Sequence, residues 1–94
     1  MLTCDFCNFH LRRGQALVCL GRDGWALFHL GCAPWFDHDR LEGEHAPFRV
    51  EGDRRYQWAV RLVWLEEPEV RRRVLSLARE LEAGPPPPGL NALG

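Results

Sequence analysis

The sequence predicts a small α+β fold, a compact knuckle with a β-hairpin followed by one or two C-terminal α-helices. Three stretches predict it. Cys4-x₂-Cys7 and His29-x₂-Cys32 are two close pairs of metal-competent side chains with 21 residues between them. Inside that gap, Ala16-Leu17-Val18-Cys19-Leu20 and Trp25-Ala26-Leu27-Phe28 flank Gly21-Arg22-Asp23-Gly24. Two short β-compatible runs around a Gly-bounded loop are the pattern of a hairpin. Later in the chain, Val70, Val74, Leu77, Ala78 and Leu81 recur at helical spacing, which predicts one apolar stripe on a helix.

Ninety-four residues make one small domain. A chain of this size buries only about 60–65% of its unfolded surface, so stabilisation from beyond the apolar core is expected. Four Trp and five Phe in a 46% hydrophobic composition exclude a chain that is disordered over most of its length. The start, Met1-Leu2-Thr3-Cys4-Asp5, has neither the basic residues nor the apolar run of a secretory signal. The most apolar window, Trp58 to Leu65, is interrupted by Arg61 and is too short to span a bilayer. The expectation is a cytoplasmic protein with no membrane contact and reduced thiols, a setting that favours metal binding over disulfides.

All twelve basic residues are Arg, a bias that reads as GC-rich coding and makes Arg weak grounds for phosphate recognition. The net charge is −1, unevenly spread. Residues 1–32 hold three Arg against two Asp, residues 33–53 two Arg against six acids, and residues 54–94 seven Arg against five Glu. No long basic stripe appears. That counts against strong non-specific nucleic-acid binding, whose affinity comes mostly from phosphate neutralisation.

A spacing of two within each pair lets both side chains reach one ion without backbone strain. Three thiolates and one imidazole match the closed tetrahedral Cys₃His set of structural zinc, so Cys4, Cys7, His29 and Cys32 are read as Zn²⁺ ligands. The competing reading is a redox or disulfide pair Cys4–Cys7 with His29 as a satisfied core residue. Structural zinc contributes on the order of 10–16 kcal/mol in finger peptides, against ~5–15 kcal/mol for the net stability of a whole domain. Metal loss is therefore expected to unfold the N-terminal third. Cys19, in mid-strand, reads as a small buried hydrophobe, with replacement of His29 as fourth ligand the lesser option and His10 a weaker rival still. His38, Asp39, Glu42 and His45 have irregular spacing and read as a solvated acidic loop rather than a second metal site.

Cys4 to Cys7 predicts a tight turn, with Asn8 placed where a left-handed residue is needed. Pro34 reads as the first residue of a short helical turn through Trp35, Phe36 and Asp37. Residues 37–53 read as an acidic connector in which Phe48-Arg49-Val50 adds a short strand. Tyr56, Trp58, Val60, Leu62 and Trp64 alternate as in a strand, yet Asp53 is a good N-cap and the run leads into a helix. Helix is the favoured reading for this stretch and strand the alternative. For the last helix, Glu66, Glu67, Pro68 and Glu69 mark the start, Arg79 the last turn and Gly84 the stop. Pro85-Pro86-Pro87-Pro88 predicts polyproline II and excludes helix, leaving a frayed tail rather than a spacer that presents Leu90 and Leu93. The organisation is thus a zinc-binding module with its acidic connector over 1–52, a helical annex packing on it over 53–84, and a Pro-rich flexible tail over 85–94.

The run Cys4-x₂-Cys7-x₂₁-His29-x₂-Cys32, with Gly14 between and Phe28 before the His, resembles the first zinc site of a LIM domain. It is also similar to the zinc finger of poly(ADP-ribose) polymerases, which has the same four ligand types over a longer gap; both belong to the treble-clef group. The resemblance covers about residues 4–36. It departs where a LIM domain continues to a second zinc site, since Cys32 is the last Cys. Pro34 would also fall inside the helix on which a treble clef usually carries its last two ligands. LIM domains mostly bind proteins and the polymerase fingers bind DNA ends, so the resemblance implies a scaffold and leaves the partner open.

No catalytic set converges. Cys19, Ser76 and Thr3 sit in no motif with a His and an acid, and no Gly-rich phosphate loop or HExxH occurs. The functional expectation is a non-enzymatic zinc-binding interaction module, docking onto a protein partner or a larger macromolecular machine. The alternative is a zinc-finger nucleic-acid binder of DNA or RNA using Arg12, Arg13, Arg22 and Trp25, with Arg71, Arg72 and Arg73 in support. Tyr56, Trp58 and Trp64 make a large apolar surface that reads first as core packing against the zinc module, with a groove for a protein partner as the alternative. Near-neutral charge and the acidic middle favour protein over nucleic acid. Oligomeric state is not predicted.

Overall fold

In the computed structural model, residues 2–33 and 46–91 are described. The expected turn at Pro34–Asp37 and the acidic group His38, Asp39, Glu42 and His45 lie outside those residues. The described chain forms a four-stranded antiparallel sheet and a helix. β1 (Ala16–Gly21) and β2 (Gly24–His29) are the hairpin, β3 (Phe48–Arg49) and β4 (Trp58–Arg61) follow, and α1 (Pro68–Leu81) is the long helix. The spatial order is β2-β1-β4-β3.

The hairpin follows the expected runs, with Ala16 opposite His29 at one end and Gly21 opposite Gly24 at the other. Its connection is tighter than the four-residue loop read from the sequence, since only Arg22 and Asp23 lie outside the pairing. Neither has a positive φ; Gly24, at φ 131°, takes the conformation an L-residue would resist. Gly21 is required for a different reason. A Cβ there would run into the carbonyl oxygen of Arg55, so the approach of the 53–57 turn to the end of β1 depends on a missing side chain.

β1 is buried along its whole length, because it pairs with β2 on one side and β4 on the other and is covered on both faces. A strand in that position reads as a continuous apolar run rather than an alternating one. Ala16, Val18 and Leu20 face α1 with Val60, Leu62, Leu65, Val70, Val74, Leu77 and Ala78. Leu17 and Cys19 face the other way, into a second cluster with Cys4, Ala26, Phe28, Phe48, Val50 and Ala59.

The stretch favoured as helix, residues 56–65, is instead β4 followed by a 3-10 turn over Leu62–Glu66. The alternation of Trp58 and Val60 was the correct signal, because Val60 faces Val18 across the sheet and Trp58 faces Leu20. Asp53 does accept backbone N–H groups, from Arg55 at 2.7 Å and Tyr56 at 3.4 Å, but it closes a turn ahead of a strand. The same side-chain chemistry that caps helices also makes Asx turns.

α1 begins with Pro68 at its first position and buries Val70, Val74, Leu77 and Ala78 of the expected stripe, while Leu81, its last member, is only partly buried. Its left-handed stop is Glu82 (φ 56°, ψ 41°) rather than Gly84. Gly84, at φ 82°, turns the chain back so that its carbonyl accepts a hydrogen bond from the Trp25 indole at 3.1 Å. The Pro-rich segment ends in a one-turn helix, α2 (Pro88–Asn91). The exclusion of helix from the proline run is thus corrected at its last member, since Pro88 is the first residue of that turn and needs no N–H there. No helix among the described residues is long and apolar enough to cross a membrane.

Candidate metal centre

The chain enters as a small hairpin of its own. Thr3 bridges to His10, Leu11 N–H donates to the Leu2 carbonyl at 3.0 Å, and Cys4 N–H donates to the Phe9 carbonyl at 2.9 Å. Asn8 takes the left-handed conformation (φ 66°) expected of it. Its N–H donates to the Cys4 carbonyl at 2.9 Å, closing the knuckle between Cys4 and Cys7. Asp5 fastens this knuckle to β2 twice. Its N–H donates to the Leu27 carbonyl at 2.7 Å, and its carboxylate accepts the Leu27 N–H at 2.7 Å.

Antiparallel pairing brings His29, the last residue of β2, to the end of the sheet beside the Cys4–Cys7 knuckle, and a 3-10 turn over Leu30–Cys32 delivers Cys32. The three sulfurs of Cys4, Cys7 and Cys32 and a ring nitrogen of His29 all lie within 4.8 Å of one another. Cys7 Sγ is 3.3 Å and Cys32 Sγ 3.8 Å from His29 Nδ1. Tetrahedral bonds of about 2.3 Å to sulfur and 2.0–2.1 Å to nitrogen would separate such donors by roughly 3.5–3.8 Å. The four residues can therefore hold one metal ion.

The imidazole is set for that task. Its Nε2 lies 2.9 Å from the His10 carbonyl oxygen, which can only accept. Nε2 therefore carries the proton, and the Nδ1 lone pair is directed at the sulfurs. A ligand histidine fixed through its second nitrogen is the usual supporting arrangement of metal sites.

The thiols differ in their surroundings. Burial opposes ionisation of Cys4, but backbone N–H groups of Cys7, His29 and Phe6 outweigh it and bring the thiol down to about 6. Two of these donors are 3.4 Å (Phe6) and 3.5 Å (His29) from Cys4 Sγ. Desolvation and the neighbouring sulfurs of Cys4 and Cys7 push Cys32 up to about 11. One thiolate is pre-stabilised while further negative charge is resisted, and a bound cation would relieve that resistance.

None of the four cysteines is in a disulfide. Cys19 is fully buried in β1 and apart from the cluster. Burial and the charges of Asp53 and Asp5 raise its thiol pKa, as fits a packing residue. His10 contributes its backbone to the site rather than its ring.

The other residues singled out from sequence are not gathered in one place. Arg12 and Arg13 precede β1 at the knuckle end, and Arg13 pairs with Glu66. Arg22 sits in the turn at the opposite end of a six-residue strand, roughly 20 Å away at ~3.3 Å per residue. Trp25 and Trp58 flank Leu20 across the sheet and pack, half-buried, with Trp64 against the cluster under α1. Arg49 and Arg73 lie 5.8 and 5.9 Å from the Trp58 ring centre, and Arg61 lies 5.9 Å from that of Trp64. Arg71 donates to the Leu65 carbonyl at 3.1 Å.

Sequence reasoning missed Asp5, the His10 carbonyl, Phe6 and Phe9. Phe6 and Phe9 are 70% and 74% exposed, in the turn between the ligands and just after it. A signal for Phe6 was present, because residues between the two Cys of a knuckle have no core to enter. Nothing in the residue type announced the His10 carbonyl.

No protein-family model, curated protein or solved structure matches this chain. The cluster is thus zinc-finger-like in its residues and spacing, and the assignment to a LIM or poly(ADP-ribose) polymerase type rests on that likeness alone.

Proposed function

We propose that this chain is a non-enzymatic, zinc-binding interaction module that docks onto a protein partner, as one part of a larger cytoplasmic assembly. The observation that carries the reading is the placement of Phe6 and Phe9. Both are exposed aromatic rings on a knuckle braced by three sulfurs and an imidazole within 4.8 Å. Rigid, exposed aromatics are the usual anchors of protein interfaces. Zinc is the ion favoured by three thiolates and one imidazole in a tetrahedral set. Four protein ligands leave it no open position, which supports a structural role and no catalysis.

The distribution of arginines argues against nucleic acid as the principal partner. Arg13 is engaged with Glu66, and Arg22 projects from the far end of the hairpin from Arg12, so these residues do not form one phosphate-binding stripe.

Native mass spectrometry of the purified chain should show one Zn²⁺ per molecule, absent in Cys4→Ser. Affinity capture from the source lysate, with nuclease, should retain a stoichiometric protein partner. Phe6→Ser/Phe9→Ser should lose that partner while keeping its zinc and, within about 0.5 kcal/mol, its stability, as expected of surface changes. Partners that disappear with nuclease would reverse the assignment in favour of nucleic acid.

A further inference from the structure

We propose that the face around Trp25 is a groove for proline-rich segments of a partner protein, and that residues 84–90 of this chain occupy it in cis. This extends the docking reading to a second surface, away from the knuckle. Trp25 stands at the turn end of β2, opposite Leu20, and two clefts share its ring. One, of about 320 Å³, lies between Trp25 and the Leu75 and Ala78 side of α1, and Pro85 and Pro86 help to wall it. The other, of about 430 Å³, lies towards Leu2 and Leu27, and Pro87 and Pro88 help to wall it. The proline run therefore borders both clefts that the indole lines. Its ends are fixed by the Trp25-to-Gly84 hydrogen bond of 3.1 Å and by Leu90, which packs against the cluster under α1.

The chemistry is that of polyproline recognition. Four successive prolines have no N–H to offer a sheet or helix, so the segment's polar need is for donors to its carbonyls. An indole N–H only donates, and here it donates to the carbonyl that leads into the run. A stiff polyproline segment also loses little conformational freedom on docking into an aromatic-lined groove. The lining mixes Arg79, Glu82 and Asp5, so recognition rests on shape and the indole rather than on net charge.

A tethered segment acts at an effective concentration on the order of millimolar. If the segment's own intrinsic Kd is roughly 0.1 mM, it would weaken any trans ligand of the groove about tenfold.

The test uses the full chain, the variant Pro86→Ser/Pro87→Ser, and a synthetic peptide Gly-Pro-Pro-Pro-Pro-Gly-Leu-Asn. The Trp25 indole N–H resonance, assigned by its loss in Trp25→Phe, reports the groove; the other three indole resonances report that the fold is intact. The serine variant should shift the Trp25 resonance, added peptide should restore it, and the peptide should bind at least tenfold tighter than to the wild-type chain. Trp25→Phe in the serine background should weaken the peptide at least fivefold. Equal peptide affinity for wild type and the serine variant, or no binding to the variant at millimolar peptide, would overturn the proposal. A wild-type chain that dimerises by exchanging tails would overturn the cis occupancy. None of these outcomes bears on capture through Phe6 and Phe9, so the two readings fail separately.

Discussion

On the side of the sheet covered by α1, Val18, Leu20 and Val60 meet Val74 and Leu77. On the other side, the cross-strand row Ala26, Cys19, Ala59 carries nothing longer than a thiol before it reaches Phe48. Burying a Val or Leu side chain is worth about 1.5–3 kcal/mol and a single methyl about 0.8. The helix face therefore draws its stability mainly from apolar area. The face with Cys19 is small along that row, between Leu17 and Phe28 on one side and Phe48 on the other, and it is also the face beside which Cys4, Cys7, His29 and Cys32 converge. One sheet thus has a face packed under α1 and a face beside a cluster that can hold a metal ion, with β1 shared between them.

On the proposed zinc reading, disrupting the Cys4, Cys7, His29 and Cys32 cluster should be the strongest perturbation of that arrangement. Because β1 is common to both faces, Cys4→Ser or chelation is expected to unfold the whole sheet, with the α1 circular-dichroism signal at 222 nm falling along with the near-ultraviolet signal. This revises the expectation that only the N-terminal third depends on zinc. Survival of the helix signal would show that the two faces fold separately.

Proton competition is the graded form of the same perturbation. At pH 7, Cys4, at about 6, is mostly thiolate, whereas Cys32, at about 11, still holds its proton. Loading Zn²⁺ at pH 7 should thus release at least one proton per ion, and the number should rise as pH falls through 6 and Cys4 becomes protonated as well. Metal affinity, and the stability linked to it, should fall with decreasing pH. Calorimetric titrations in buffers of different ionisation enthalpy measure the proton count; a count near zero at pH 7 would mean that Cys32 is already a thiolate there.

The helix face should yield less to any single change. Leu77 is 1% exposed, and Leu77→Ala is expected to cost about 2–5 kcal/mol in denaturant unfolding of the zinc-loaded protein, with zinc stoichiometry unchanged. Smaller again is Gly21→Ala, where the new methyl must displace the Arg55 carbonyl. We expect about 1–3 kcal/mol from such overpacking, read by the same unfolding curves. An unchanged midpoint would mean that the 53–57 turn gives way freely.

The ligand spacing, the hairpin and the α1 stripe are legible in the sequence because each is a local pattern, and each formed where the pattern lay. The stretch from Asp53 to Leu65 is not legible in the same way. Asp53 offers the same oxygen to a helix N-cap and to an Asx turn, and Trp58 to Trp64 satisfies the strand period as well as helix propensity allows. The vacancy beside β1 decided between them, because Val18 and Leu20 needed partners on that edge.

Chemistry held within a few residues came from the sequence alone: two chelating pairs, a glycine-bounded reversal, and an apolar stripe with a proline at its head. Those depend on covalent spacing and the helix period, which no distant contact can alter. The tertiary structure decided what long-range proximity alone can supply. It set the tautomer of His29 through the His10 carbonyl, placed Trp25 under the proline run, and left Phe6 and Phe9 facing solvent. Each of these joins residues that sequence distance keeps apart, or leaves a side chain without a core to enter, and neither outcome is written in a local pattern.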